Sequence, residues 1–394
     1  MFLIIRTTRP ERKIRRKTAA IILMITGLFS PCPVLAGESI RVLLAPDPPS
    51  VTIAGSPDLT LTDPDGRPVA GGFKGSVVIA AGPQGLIIQN EPTDRRELVA
   101  SSGSGAIRID DRDVGGILHI ALYHDKIRLI NELDLEDYLK GVVPIEISSK
   151  WHPEVLKVQA IISRTYALYQ RQLNLGKDYD VQATTADQVY EGRDKEDPVT
   201  NQAVAETRGL VLTYEGQLIL SAYHSTSAGP TENAAEVWGM DLPYLKGVSC
   251  PFDQNSPYYQ WNRSIPMDTV QKAFSTAGYS IGTIASITPF RWTEAGRISQ
   301  IRLIHSRGEL ILKAGDLRRI LGYQELPSAH FRIEKIGREV QLRGHGYGHG
   351  VGLCQWGAKE MAEMGYKYDR ILKYYYPGVL VAPYSSVTVV EPPP

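Results

Sequence analysis

Several features are scarce or missing in this sequence. Its 43 basic and 43 acidic side chains leave no formal net charge, which argues against a nucleic-acid binder or a strongly charged tail. Its three cysteines show no CxxC spacing and no HExxH occurs, so spacing alone backs no zinc module. The glycine-rich stretch 344–352 has the wrong spacing for a dinucleotide fingerprint and lies late in the chain, outside any βαβ unit. No apolar run reaches the ~20 residues needed to span a bilayer, and no internal repeat or low-complexity tract stands out. What remains, with 43% hydrophobic residues, 22% charged, 36 Gly and 26 Pro, is globular rather than collagen-like, coiled-coil or disordered. The length predicts two or three domains around a substantial core.

The first 36 residues stand apart. Arg6, Arg9, Arg12, Lys13, Arg15, Arg16 and Lys17 precede an apolar run from Ala19 to Phe29, then Pro31, Pro33 and Val34-Leu35-Ala36. This is the order of a secretory signal peptide with cleavage after Ala36. The segment holds seven basic residues and one acidic one, so the mature chain has 36 basic against 42 acidic, a net charge of −6. Membrane contact is expected through this segment only, and the mature protein is expected in the periplasm or cell envelope. Cys32 leaves with the leader, so Cys250 and Cys354 remain, either as one disulfide or as two free thiols.

From Ser39 to about Ile130, short alternating apolar stretches are separated by Gly, Pro, Asp and Asn, which predicts a β-rich region built as an antiparallel sandwich or barrel-like sheet. The segment LEDYLKGVV from Leu135 is helical in character and interrupted at Pro144. A strong helix is expected over 154–173, opened by Pro153, then a second over 198–207 and a hairpin turning at Glu215-Gly216. Residues from about 264 to 340 read as a mixed α+β insertion. The glycine loop 344–352 then leads into a helix over about 355–364. The fold class is therefore α+β: leader 1–36, a β-rich region 37–125, and a mixed catalytic core 126–394 carrying the insertion.

Three segments carry candidate chemistry. In 141–168, Glu146 lies among Val142, Val143, Pro144, Ile145 and Ile147. Apolar neighbours disfavour the charged carboxylate and raise its pKa, as a general acid near neutral pH requires; the alternative is a solvated loop glutamate. In 222–233, His224 is followed by Ser225, Thr226 and Gly229, a loop able to bond a polar ligand such as a sugar, or an ordinary turn around a satisfied histidine. Ser225 lacks the Gly-x-Ser-x-Gly setting of a nucleophile elbow. In 343–362, His345 and His349 sit on alternating glycines, and three readings stay open: a metal site, Cys354 as a nucleophile served by His349, or a substrate-lining loop.

Taken together, INELDLEDYLKGVVPIEI, WHPEVLKVQAIISRTYAL, TTADQVYEG, YHSTSAGPTE, VWG with PYLKGV, GHGVGLCQWGA and ILKYYYPG resemble the stage II sporulation protein D family, whose other members are called amidase enhancers. The resemblance covers most of the chain, most strongly about 129–376. It implies a lytic transglycosylase acting on peptidoglycan glycan strands, in sporulation members on peptide-free ones, with the essential glutamate at Glu146 and Asp187 and Glu154 as fallback carboxylates. In that setting His224, Ser225, Thr226 and Gln188 would bond sugar hydroxyls and acetamides. Tyr190, Trp238 and Trp356 would offer flat faces to pyranose rings, and His349 and Gln355 would complete the substrate-binding set.

Some relatives carry zinc through cysteines and histidines, but the segment after His224 here reads STSAGP without a cysteine. No metal or cofactor is therefore expected. A disulfide between Cys250 and Cys354, pinning the glycine loop, is the preferred account of the thiols. The expected partners are glycan strands and, in a rival non-catalytic reading, an N-acetylmuramoyl-L-alanine amidase. A third option is a zinc hydrolase built on His345, His349 and Cys354.

Overall fold

A computed structural model describes residues 37–388, apart from 45–46, 56–58 and 74. The expected leader, with Cys32, lies outside the described residues. The fold is mixed α+β with a β-rich N-terminal region. There a seven-stranded and a six-stranded sheet bury their alternate residues into one core. Ile40, Val42 and Ile120 come from the first sheet, Val51, Ile53 and Ile79 from the second. Strand Ser39–Leu44 shows the pattern in full, with Ile40, Val42 and Leu44 buried and their neighbours turned outward. Period-two side-chain direction along a strand produces this sidedness.

The β-rich region does not stop at 125. Lys126–Asp134 pairs antiparallel along both Ser39–Leu44 and Ile117–Tyr123, so a boundary at 125 would split a hairpin. Val181–Gln182 joins the same sheet, parallel to the first strand. The core beneath also takes in Tyr138, Leu139 and Leu156, which tie the sheets to the two helices that follow.

Helix α1 (Leu135–Glu146) starts where the side chain of Asp134 accepts the N–H groups of Glu136 and Asp137, a standard use of an N-cap aspartate. Pro144 lies inside this helix rather than ending it, contrary to the expected interruption. Its ring removes the bond that an N–H at 144 would make to the Lys140 carbonyl, yet the helix runs two residues further, to Glu146. Helix α2 (Pro153–Leu173) is capped by His152, with proline at its first turn. It runs through the centre of the molecule, with Leu156, Ala160 and Leu168 facing one core and Val155, Val158 and Ile162 facing another.

Residues 261–344 have a core of their own, including Trp261, Phe274, Ile301, Leu303 and Leu317. Two three-stranded sheets, Trp261–Pro266 with its partners and Ile284–Trp292 with its partners, build it together with helices Met267–Thr276 and Ala314–Leu321. The chain then returns to the main body. Leu353–Cys354 pairs parallel with Tyr223–His224, which sets the glycine loop against the segment around His224. The loop needs its glycines. Gly348 has φ +116°, and a Cβ there would meet the His224 Cβ at 2.6 Å. At Gly352, φ +73°, a Cβ would meet the Ala222 carbonyl oxygen at 2.1 Å. Only glycine accepts both the backbone conformation and that approach.

Candidate active site

Between the main body and the 261–344 insertion lies an open cavity of about 1320 Å³. One wall is formed by Glu146, Tyr166, Asp187, Val189, Tyr223, His224, Ser225 and Gln355. The insertion side supplies Arg291, Thr293, Arg297, Lys313, Arg318 and Tyr323.

Glu146 is the last residue of α1, half-buried at the cavity wall. Burial pushes its carboxyl up to about 7, opposed only by hydrogen bonds from the Tyr223 hydroxyl and the Val189 N–H. No cation contributes, so the protonated form persists near neutral pH. The end of the helix is held by Gln355, whose Nε2 donates to the Glu146 backbone oxygen at 3.4 Å and to Gln159 Oε1 at 3.1 Å. Behind it, Tyr138 donates to Gln188 Oε1 at 3.3 Å, and Gln188 Nε2 donates to the Tyr223 hydroxyl at 3.4 Å. Gln188 thus orients the tyrosine that orients the carboxyl.

The fallback carboxylates are committed elsewhere. Asp187 accepts bonds from Tyr166 at 2.9 Å, from Gln170 at 3.2 Å and from the Gln182 N–H at 2.8 Å. Glu154 sits at the start of α2, accepting from the Tyr368 N–H at 2.9 Å and pairing with Lys157. A third carboxylate, Glu232, is buried under the insertion, where it accepts from Thr293 at 2.7 Å and from Arg297 at 3.1 Å.

His224 and His349 meet at the cavity floor, ring centres 5.6 Å apart, with Trp238 5.0 Å from His349. Burial, reinforced by neighbouring positive charge, pulls both imidazoles down, His349 to about 4, so both are neutral. His224 donates from Nδ1 to the Val351 carbonyl at 3.1 Å. Its Nε2 is therefore a bare acceptor, buried and without a partner among the described residues, a cost that a ligand donor would relieve.

The other expected ligand residues lie off the wall. Tyr190 is 1% exposed and packs on Tyr138 with its hydroxyl bonded to Asn131, so its ring faces the core, not a sugar. Thr226 is buried against Ser256 and paired through its backbone with Tyr347. Trp356 packs edge-on against Trp151 beneath Lys359. Among the expected aromatic faces, Trp238 lines the cavity.

Histidines 345 and 349 diverge: His345 stacks near His330, centroids 5.2 Å apart, and Cys354 points into the core. Cys250 and Cys354 are adjacent buried thiols rather than the expected disulfide. Cys354 Sγ instead accepts from the Ser227 and Gly357 N–H groups and bonds to Asp253 Oδ2 at 3.3 Å. Cys250, Asp253 and Cys354 bring their donor atoms within 4.8 Å of one another. This set holds no histidine; Asp253 Oδ2 accepts two backbone N–H groups at 2.7 Å, while Oδ1 is buried without a partner among the described residues. With three donors and no histidine it does not match the cysteine–histidine zinc site that some relatives carry, and no chemistry is derived through a metal.

Two groups had gone unnoticed in the sequence. Tyr223 stands beside His224 in the same motif. The cationic residues of the insertion lie in a stretch without a recognisable signature.

This is an α+β protein with a cleft whose central feature is one protonatable carboxyl on a helix end. The chain belongs to the stage II sporulation protein D family. The family described as "Stage II sporulation protein" matches residues 123–214, and a domain of unknown function matches residues 234–352. Stage II sporulation protein D of Bacillus subtilis is 31% identical over 317 residues, 76% of this chain and 87% of that protein. An uncharacterized protein of Brachyspira hyodysenteriae is 35% identical over 275 residues, covering 69% and 73%. The amidase enhancer of Bacillus subtilis is 30% identical over 292 residues, 62% of this chain and 40% of that protein.

Proposed function

We propose that this protein is a lytic transglycosylase that cleaves the glycan backbone of peptidoglycan, acting outside the cytoplasm on strands that have lost their peptides. The observation that carries the reading is the cleft carboxyl of Glu146, held near 7 by burial with no cation beside it. Protonated, Glu146 donates to the glycosidic oxygen leaving C1 of N-acetylmuramic acid while positive charge develops on the ring. The same carboxylate then takes the proton from the C6 hydroxyl as that oxygen closes on C1, leaving a 1,6-anhydro end. No external water attacks, so the second free carboxylate of an ordinary glycosidase is not needed. The engagement of Asp187 and Glu232 by protein donors supports this reading. The basic, apolar leader pattern of residues 1–36 supports export to the periplasm or cell envelope.

Mature protein incubated with peptide-free strands is expected to release anhydro-ended fragments, and the Glu146→Gln protein none. A second reading, a non-catalytic enhancer of an N-acetylmuramoyl-L-alanine amidase, draws on the relative named amidase enhancer. It predicts no fragments from the purified protein alone and faster peptide release by an added amidase.

A further inference from the structure

The cavity wall contributed by the insertion has a charge character that the catalytic chemistry does not use. Arg318, on helix Ala314–Leu321, is 7% exposed and lines the cavity. Its Nε donates to the Leu326 carbonyl at 3.0 Å and its Nη2 to the Pro327 carbonyl at 2.6 Å. The third nitrogen, Nη1, has no protein acceptor among the described residues, and no carboxylate there pairs with this guanidinium. Burial weakens its hold on the proton, to about 10, still well above neutrality, so it is a buried cation without a counter-ion. Buried charges are normally paired, because an unpaired one keeps its desolvation cost without the attraction that would offset it.

The Tyr323 ring lies under the guanidinium, its centroid 5.0 Å from Cζ, but this contact supplies no negative charge. The neighbouring His224 and His349 are neutral. Arg297, the other buried cation of this wall, already has Glu232 at 3.1 Å. Toward the cleft mouth Arg291 and Lys313 are exposed and form no ion pair among the described residues. The other carboxylates lining the cavity are Glu146, raised to about 7, Asp187, held by three protein donors, and the exposed Glu236, which accepts the Glu294 N–H at 3.0 Å; none of them pairs with Arg318, Arg291 or Lys313 among the described residues. A mature chain of net charge −6 therefore turns a locally cationic wall into its cleft.

We propose that this wall is a subsite for a carboxylate of the substrate, with Arg318 as the innermost donor and Arg291 and Lys313 at the mouth. Resting on the glycan reading above, that carboxylate is the lactyl carboxylate of an N-acetylmuramic acid stripped of its stem peptide. While the peptide is attached, the same carbon is a neutral amide. Removing the peptide creates the charge that this wall receives, so the insertion reads whether a strand has been stripped. A charge-assisted, partly desolvated bond of this kind is worth about a tenfold preference in binding.

The test uses mature protein carrying Glu146→Gln, so that strands bind without turnover, and two probes: peptide-free strands, and the same strands with their lactyl carboxylates converted to methylamides. The parent is expected to bind the free-acid strands about tenfold more tightly, a preference that shrinks as salt is raised. Arg318→Gln is expected to abolish the preference while leaving binding of the methylamide strands in place, and Arg318→Lys to keep part of it. Should Arg318→Gln fail to fold, the Arg291→Gln/Lys313→Gln pair decides the matter, since both sites are exposed; it is expected to reduce the preference about two- to threefold. Equal affinity of the parent for both probes, an undiminished preference in whichever of these variants folds, or no binding of either probe overturns the proposal. Equal binding together with normal cleavage by the wild type would leave the glycan reading standing and remove only this one. A clear binding preference without any cleavage would do the reverse.

Discussion

Helix α1 carries a partly or wholly desolvated glutamate at each end, and the molecule treats the two in opposite ways. At the first turn Glu136, 7% exposed, meets a guanidinium in fork geometry, with Arg164 Nε to Oε1 at 2.8 Å and Nη2 to Oε2 at 2.7 Å. Arg164 goes on to bond the carbonyls of Leu210 and Val204, and the Gly209 N–H adds a further donor to the carboxylate. At the last turn Glu146 has only the Tyr223 hydroxyl and one N–H. The first arrangement fixes a charge and joins α1 to α2 and to the following segment, making Glu136 structural. The second leaves a carboxyl able to gain and lose a proton near neutral pH, which is what acid–base work asks of it. The presence or absence of a cation, more than burial, separates a salt-bridged brace from a carboxyl that can hold its proton near neutral pH.

Five substitutions or conditions would break or sharpen that contrast. Glu146→Gln should lower glycan cleavage by about a thousandfold or more, the upper range for loss of an acid–base group, with no fall in melting temperature near neutral pH; a cleavage assay beside a thermal melt reads both. Glu136→Gln should do the opposite. It leaves Arg164 buried without its partner and should cost about 3–5 kcal/mol in denaturant unfolding, whereas Glu136→Leu combined with Arg164→Met should cost less than either single change.

The pH dependence has a definite sign. The Glu146 carboxyl lies at about 7 in the folded chain against 4.5 ordinarily, so between those values the folded state holds a proton that the unfolded state releases. Stability from this group therefore falls as pH rises through that window. Above it, Glu146→Gln should be more stable than wild type by about 2 kcal/mol, allowing for contact with cleft water, and the two should converge at acid pH. Cleavage should instead decline as pH rises through about 7, where the folded-state acid loses its proton. The smallest effect belongs to Tyr223→Phe. Removing a donor that favours the charged form should shift the alkaline limb of the cleavage profile to higher pH while the fold persists.

Much of this was legible in the sequence, for reasons that can be traced to particular residues. Glu146 stood out because its apolar neighbours surround it locally, and the same residues bury it in three dimensions. The limits of α2 followed from Pro153, and the strands of the β-rich region from their alternation. Pro144 misled, because losing one N–H bond does not by itself end a helix, and here the helix continues two residues beyond it. Residue type alone also misplaced the aromatics: Tyr190 and Trp356 went to packing, whereas the unremarked Tyr223 became the partner of the carboxyl. Arg318 and Arg319 are adjacent in sequence, yet one is buried without a carboxylate and the other exposed beside Asp316 at 3.2 Å. That difference depends on where helix Ala314–Leu321 docks, which no local pattern encodes.

The central claim is that Glu146 alone serves as acid and then as base, with the sugar's own C6 hydroxyl as the nucleophile. Digestion of peptide-free strands in heavy-oxygen water, read by mass spectrometry for wild type and Glu146→Gln side by side, tests it most directly. The account predicts anhydro-ended fragments free of heavy oxygen from the wild type and none from the variant. Reducing ends labelled with heavy oxygen, or equal turnover by the two proteins, would contradict it.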